Sequence, residues 1–237
     1  MNQSDKSDIS NSIKEYFKKW PRSYYFVSDF FGPMYFGGLN PKKFLLKFGN
    51  NNNKTVNLGS GARKIADGVT NVDMTKYKGV DVVASLCNLP FQDNTFDRVI
   101  CDQVFEHLEF PDQASEEIYR ILNTNGVAYI STPFLYPFHS SPADYQRWTK
   151  QGLDKLFRKF EILEVGVRSG PFSVITVYMS YIGASIFSFG SDKLYWILVY
   201  MFNFIFFPIK FIDVLANKLP FIINCSSCLY CVIKKIK

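Results

Sequence analysis

Between residues 55 and 167 the sequence alternates short apolar runs with polar, turn-forming stretches. Six runs rich in β-branched or apolar residues predict strands, at residues 55–58, 69–72, 80–84, 96–101, 127–131 and 161–167. Helical spacing predicts a helix through Ala114, Ile118, Ile121 and Leu122. Thr149 can cap a second helix with core residues Leu153, Leu156, Phe157 and Phe160. Strands alternating with helices predict a doubly wound, mostly parallel α/β sheet with helices on both faces.

The last third of the chain has a different pattern. Residues 169–191, 194–209 and 219–233 carry no charge, and Gly183, Gly190, Asn203 and Pro208 interrupt them. We therefore predict an apolar helical insertion over residues 171–224, before a last strand at 229–233. A spanning helix needs about 20 apolar residues. The first run is long enough but contains several Ser and Thr, so we expect the insertion to lie on a membrane rather than span it. Helices that bury one another are the alternative.

The pattern predicts three parts. Residues 1–54 form a basic, aromatic N-terminal arm that ends in an Asn-rich loop. Residues 55–170 and 225–237 form the core, and residues 171–224 form the insertion. A chain of 237 residues can bury one sizeable core.

Charge is unevenly distributed along the chain. Residues 1–54 carry 9 basic and 4 acidic residues, residues 55–170 carry 12 and 15, and residues 171–237 carry 6 and 2. A nucleic-acid binder usually has its basic residues on the folded domain, so we predict no nucleic-acid partner. Basic residues among aromatic runs favour an anionic membrane surface, and a solvated Lys-rich surface is the alternative.

The expected location is cytoplasmic, peripheral on the inner membrane face. Residues 1–12 are polar and lack the apolar segment of a signal peptide. Five Cys, an odd number, indicate reduced thiols. Cys225, Cys228 and Cys231 have a metal-like spacing, but a fourth ligand is missing nearby, so we predict no metal.

The first motif with chemical meaning is Gly59-Ser60-Gly61, directly after a predicted strand. Glycine lets the backbone approach a ligand closely, although the motif alone also fits an ordinary tight turn. Asp73 ends the next strand, where its carboxylate can accept both hydroxyls of a ribose. The spacing is shorter than the roughly 20 residues of a dinucleotide site. Lys64 also replaces the third glycine, so a nucleoside without a pyrophosphate fits better.

The ordered segments NLGSG, NVD, LPFQDNTFDRVI, VFEHL and GVAYISTP resemble class I S-adenosylmethionine-dependent methyltransferases of the type 11 group, over residues 55–168. The resemblance implies a Rossmann-like fold, S-adenosylmethionine as cofactor and methyl transfer as the reaction. It also implies cofactor contacts from the glycine turn, from the ends of the second and fourth strands and from the loop after the third. These residues are Gly59, Ser60, Gly61, Asp73, Met74, Leu86, Asp102 and Gln103.

Two segments supply candidate catalytic residues. Residues 139–149 read His-x-x-Pro-x-Asp-Tyr-x-Arg-x-Thr, which resembles a segment of methyltransferases from surface-glycan assembly. His139, with an ordinary pKa of about 6.5, is the candidate base. Tyr145, Arg147 and His107 are the further candidates. As alternatives, Asp144 and Arg147 form an ion pair that orders the loop, and Glu106 or His107 packs the next helix.

We therefore predict methyl transfer to a sugar hydroxyl on a membrane-linked glycan precursor. The acceptor is then a small-molecule or lipid-linked glycan, and an oligomer is possible. One alternative is methylation of a quinone-like or other lipid. Another is an inactive membrane-bound scaffold, which Ser85 and Arg63 favour because the family often has an acidic residue and a glycine there.

Overall fold

The structure is a computed structural model that describes residues 38–49, 53–139 and 143–237. Its strands are β1 (Thr55–Leu58), β2 (Val69–Asp73), β3 (Val82–Val83), β4 (Phe96–Asp102), β5 (Leu122–Pro133), β6 (Glu161–Ser169) and β7 (Cys228–Lys234). The α-helices of these residues are α1 (Pro41–Lys47), α2 (Pro111–Ile121), α3 (Lys150–Leu156), α4 (Pro171–Phe187), α5 (Asp192–Phe206) and α6 (Asp213–Ala216). Short 3₁₀ turns cover Phe105–His107, Phe207–Ile212 and Ile222–Cys225.

The strands form one seven-stranded sheet in the order β3-β2-β1-β4-β5-β7-β6. The five neighbouring strands β3, β2, β1, β4 and β5 pair in parallel, and β7 pairs antiparallel with β5. The predicted mostly parallel α/β sheet and the predicted last strand are therefore confirmed. Parallel order places the carboxyl ends of β1, β2, β4 and β5 at the same edge, where such sheets bind ligands.

The link from β1 to β2 differs from the predicted alternation of strands and helices. Residues 59–68 form turns, and no helix lies in this described stretch. Gly59, Gly61 and Gly68 all have positive φ there, which breaks a right-handed helix. The predicted third strand is also reduced to Val82–Val83.

The chain folds into two compact units. The sheet unit comprises Leu39–Phe134, Ala143–Gly166 and Cys228–Lys237. One of its core clusters joins Phe44 of α1 to Ile100, Tyr129, Tyr230 and Val232 of three strands. The aromatic rings of Phe44 and Tyr129 lie 5.6 Å apart. Thus α1, which the sequence places in the N-terminal arm, packs inside the sheet unit, and residues 1–37 of that arm lie outside the described residues.

The second unit, called the helical unit here, includes Val167–Ser227 and residues 135–139 among its described residues. Its helices bury several polar side chains and expose many large apolar ones. The buried polar residues are Ser173, Thr176, Ser180, Asn203, Lys210 and Asp213. The exposed apolar residues include Ile182, Ile186, Phe204, Leu215 and Phe221. This distribution is the reverse of that of a helix packed in a water-soluble core.

A buried carboxylate holds the beginning of α4. Asp213 accepts hydrogen bonds from the backbone N–H groups of Phe172 and Ser173, each at 2.9 Å. It also accepts one from the Ser173 hydroxyl at 2.6 Å. The cap residue Gly170 has no side chain for this task, so Asp213 satisfies the first amides of the helix from a distant part of the sequence.

Among the described residues, the helical segment Asp192–Ala216 is long and apolar enough to cross a membrane by length and composition. Helix α4 is similarly apolar but shorter, at 17 residues. Both helices lie within the predicted insertion.

Candidate active site

The turn after β1 has the geometry of a close ligand approach. Gly59 and Gly61 have φ values of 68° and 55°, in the left-handed region that favours glycine. A Cβ atom on Gly59 would lie 2.4 Å from Cγ2 of Val104, so this position has no room for a side chain. The turn is therefore packed against the segment that follows β4.

Asp73 connects this turn to the end of β2. Its Oδ2 accepts a hydrogen bond from the Gly61 N–H at 2.8 Å, and its Oδ1 accepts one from the Thr75 N–H at 2.9 Å. A carboxylate has about four acceptor positions, so two backbone amides leave capacity for two ribose hydroxyls. Asp73 is half-buried, which leaves the group reachable. Its position fits the predicted role.

The two residues predicted to contact an adenine lie after β2 and β3. Met74 follows Asp73 directly and exposes 64% of its surface, so an apolar side chain is available beside the carboxylate. Leu86 is buried, and it lies in a tight turn in which Ser85 pairs with Asn88. Only the backbone of Leu86 is therefore suited to a ligand contact.

The end of β4 presents two polar side chains held by β5. The Ser131 hydroxyl donates to Oδ1 of Asp102 and accepts from Nε2 of Gln103 at 2.9 Å. Gln103 has a positive φ of 61°, which is uncommon for a residue with a side chain. Backbone strain of this kind concentrates at functional sites.

The loop before α3 is fixed along the turn that follows β4. The Tyr145 N–H donates to the Glu106 carbonyl at 2.8 Å, and Nε2 of Gln146 donates to the Leu108 carbonyl at 2.8 Å. Nδ1 of His107 is hydrogen-bonded to the Ala143 carbonyl. The structure thus brings together two segments that the sequence singled out separately.

The predicted ion pair between Asp144 and Arg147 is present. The guanidinium donates to both carboxylate oxygens, with Nη2 at 2.6 Å from Oδ2. Hydrogen bonding to Asp144 raises the pKa of Arg147, against the opposing effect of burial. The Asp144 side chain is only 1% exposed, so this fork-shaped pair neutralises a buried charge and orders the loop.

Two of the candidate catalytic residues lie in this same region of the sheet unit. The carbonyl of Ala143 can only accept, so Nδ1 of His107 carries the proton and Nε2 bears the lone pair of the neutral ring. Tyr145 is 56% exposed. With Arg147, they supply proton-accepting, hydroxyl and cationic groups near the carboxyl end of β4.

His139 belongs to the helical unit. Its Nδ1 lies 3.1 Å from the Pro137 carbonyl, and its ring meets the Tyr136 ring edge-on at 5.0 Å. Its catalytic role stays a prediction. In β7, Cys228 and Cys231 are three residues apart, and side chains at that spacing point to opposite faces of a strand. These two thiols therefore do not converge on one metal position.

The sequence suggests for Glu106 only that it caps or packs the next helix. Its side chain is completely buried, and its two oxygens have no hydrogen-bond partner in the part of the chain that the structure describes. In a sequence, a glutamate next to a histidine predicts a residue that is exposed or that caps a helix. The neighbouring Phe105 ring packs edge-on against Phe157, with ring centroids 5.4 Å apart.

We expect Arg147→Ala to lower the free energy of unfolding by about 3–5 kcal/mol, because it leaves the buried Asp144 carboxylate uncompensated. Urea denaturation measures the change, and Arg158→Ala, at an exposed arginine, serves as the matched control with a change within about 0.5 kcal/mol. Adding Asp144→Asn to Arg147→Ala should recover part of the loss. A single variant as stable as the control would show that the pair does not hold the loop.

Comparison with known proteins places the sheet unit in a known fold. Residues 55–130 match the family described as methyltransferase domain. An uncharacterised protein of Methanocaldococcus jannaschii is 45% identical over 51 residues, which is 22% of this chain and 22% of that protein. The chain therefore aligns with about a fifth of the length of this curated relative.

Two solved structures show similarity over longer stretches. Haemonchus contortus phosphoethanolamine N-methyltransferase 2, in complex with phosphomonomethylethanolamine and S-adenosylhomocysteine, superposes with a TM-score of 0.54 at 18% identity. The alignment covers 91% of this chain and 57% of that one. A putative sarcosine dimethylglycine methyltransferase from Galdieria sulphuraria has a TM-score of 0.48 at 16% identity, over 77% of this chain and 78% of that one. The predicted Rossmann-like fold is confirmed, and residues 55–130 are similar to a methyltransferase domain.

Proposed function

We propose that this protein transfers the methyl group of S-adenosylmethionine to a sugar hydroxyl of a membrane-linked glycan precursor. The observation that carries the first half is the Gly59–Gly61 turn bonded to Asp73, within a domain that matches methyltransferases. The observation that carries the second half is the reversed polarity of the helical unit.

The residues at the strand ends fit the cofactor. The glycine turn would lie along its methionine part, and Asp73 would accept hydrogen bonds from its ribose hydroxyls. Asp102 and Gln103, held by Ser131, would border the reactive centre. The cofactor supplies a methyl group activated by a positively charged sulfur, so the protein has mainly to bind, orient and exclude water.

Transfer to a hydroxyl also requires a place for the proton that the hydroxyl loses. His107 offers Nε2 for this purpose, because its Nδ1 is occupied by the Ala143 carbonyl. Tyr145 and Arg147 are positioned on the same loop to hydrogen-bond hydroxyls of an acceptor. A general base of this kind contributes typically 10²–10⁴-fold to a rate.

The helical unit supports an acceptor that is bound to a membrane. Its exposed apolar side chains would contact lipid, and its buried polar ones would remain away from it. An apolar surface on this scale marks an interaction site. We propose that the unit lies on the inner membrane face, with the exposed Lys193 and Lys218 flanking its apolar runs.

Loss of the Asp73 carboxylate should weaken cofactor binding. We expect Asp73→Ala to lower the affinity for S-adenosylmethionine about tenfold or more, since a hydrogen bond to a charged group contributes about 1.5–3 kcal/mol. Titration calorimetry measures the affinity. Asp67→Ala, at an exposed carboxylate in the loop before β2, should leave the affinity unchanged. Unchanged binding in Asp73→Ala would refute the assignment, and absence of binding in the unmodified protein would favour the inactive scaffold.

The acceptor class is tested with S-adenosylmethionine labelled in its methyl group. We expect label to enter the lipid-linked glycan fraction of membranes from the source organism, and mild acid should release it with the sugar. Asp73→Ala is the matched control and should incorporate about tenfold less label at limiting cofactor, because its affinity is lower. Label in a quinone-like or other lipid that mild acid leaves intact would contradict the sugar acceptor.

Membrane binding is tested by flotation with liposomes. We expect the full-length protein to float with anionic liposomes, and less of it to float at high salt because ionic screening shortens the reach of the lysines. Double substitution of Ile182 and Ile186 with Ser, at exposed positions of α4, should reduce flotation, and the same change at Lys42 and Lys43 should have a smaller effect. Alkaline carbonate should release a protein that lies on the surface, whereas resistance to it would indicate that the helices span the bilayer.

A further inference from the structure

Glu106 is a buried acid without a partner. It lies in the 3₁₀ turn Phe105–His107, four residues after the end of β4, and none of its surface is exposed. Neither carboxyl oxygen has a hydrogen-bond partner in the described residues. The Glu106 backbone N–H lowers the pKa of the carboxyl group, against the larger effect of burial. An ionised carboxylate in such a place is costly unless a positive charge lies close to it.

The charged groups around Glu106 do not supply that positive charge. Asp144 and Arg147 cancel each other in their ion pair, and Asp102 at the end of β4 adds a negative charge. Nε2 of His107 lies 3.8 Å from Oε1 of Glu106, outside hydrogen-bond distance, and Nδ1 of the same ring is bonded to the Ala143 carbonyl. Another titratable neighbour within the sheet unit is the buried thiol of Cys101, whose pKa burial raises well above its ordinary value.

The same surroundings set the protonation of Glu106. Burial raises the pKa of its carboxyl group to about 8, Asp144 and Asp102 add to the rise, and Arg147 opposes it. Because the pKa is raised, the neutral acid predominates below pH 8. Placing a cation nearby would lower the pKa and release the proton.

The cofactor brings a cation to this part of the molecule. S-adenosylmethionine carries a positive sulfonium, whereas its product S-adenosylhomocysteine carries an uncharged thioether. The turn of Gly59 is packed against Val104, two residues before Glu106, and Asp102 stands on the other side of Val104 in sequence. The residues proposed to hold the sulfonium end of the cofactor are therefore on the same short segment as the unpartnered acid.

We propose that Glu106 is the counter-charge of the sulfonium, ionised when S-adenosylmethionine is bound and protonated again once the thioether has formed. This inference rests on the proposed use of S-adenosylmethionine. Binding would release the Glu106 proton to solvent. During transfer the C–S bond breaks and leaves its electron pair on sulfur, a C–O bond forms, and the acceptor O–H bond breaks. Nε2 of His107 accepts that proton and passes it to the Glu106 carboxylate, 3.8 Å away, so the buried region keeps the same net charge before and after the reaction.

The consequence is a pH dependence that separates the two cofactor forms. The affinity for S-adenosylmethionine should rise with pH until pH reaches about 8, where Glu106 of the unbound protein is itself ionised. The affinity for S-adenosylhomocysteine should not follow this rise. The two ligands share their amino, carboxylate and ribose groups, so the ratio of their affinities isolates the sulfonium.

Titration calorimetry of the full chain at pH 6, 7 and 8 tests the proposal, with each ligand in two buffers of different ionisation enthalpy. We expect about 50-fold tighter S-adenosylmethionine binding at pH 8 than at pH 6, and release of about 0.9 proton at pH 7, if Glu106 is ionised in the complex throughout this range. S-adenosylhomocysteine should show neither effect. Glu106→Gln should abolish the difference between the two ligands in pH dependence and proton release. Glu109→Gln, at an exposed acid three residues further along the chain, should retain this difference.

The outcomes distinguish this inference from the proposed function. If neither ligand binds, the proposed function fails and the inference fails with it. If both bind with the same pH profile and the same proton release, only the role of Glu106 is refuted. The comparison of the two ligands on the unmodified protein needs no variant, so it decides the matter even if Glu106→Gln does not fold.

Discussion

Burial of charge at the carboxyl end of β4 is the constraint on which the proposed chemistry depends. Asp144 is covered almost completely, and the fork of Arg147 makes its ionised form tolerable. Because the guanidinium of Arg147 is already paired with Asp144, it does not neutralise Glu106, whose carboxyl oxygens have no hydrogen-bond partner among the described residues. The site therefore contains one acid that the protein alone does not stabilise in its charged form, at the edge of the sheet where the glycine turn and Asp73 are found.

The sheet could be read from the sequence wherever a strand is short, apolar and bounded by turn residues. The predicted strand at residues 55–58 matches β1 in full, and Thr149 caps α3 through a hydrogen bond to Gly152 N–H as expected. The place of Asp73 also followed from the pattern, because a residue ending a parallel strand lies at the ligand-binding edge. These features are determined by residues close together in the sequence, so they can be predicted from it.

Features that depend on distant residues were missed. Phe44 lies in a basic, aromatic stretch, and only its contact with Tyr129 shows that α1 belongs to the sheet unit. The complete burial of Glu106 is likewise visible only in the folded chain. In α4, by contrast, a signal was present: Ser173, Thr176 and Ser180 fall on one helical stripe, so their spacing could have identified the inward face.

The hydrogen bonds from Asp213 that cap α4 have a consequence for the order in which the chain folds during translation. The amides at the start of this helix are satisfied by Asp213, which is encoded about 40 residues later. During synthesis α4 therefore leaves the ribosome before the group that completes its first turn exists. Closing a loop of that length carries an entropic cost that must be met before the contact stabilises anything. The helices from α4 to α6 consequently become stable together, as one unit late in translation, rather than one after another.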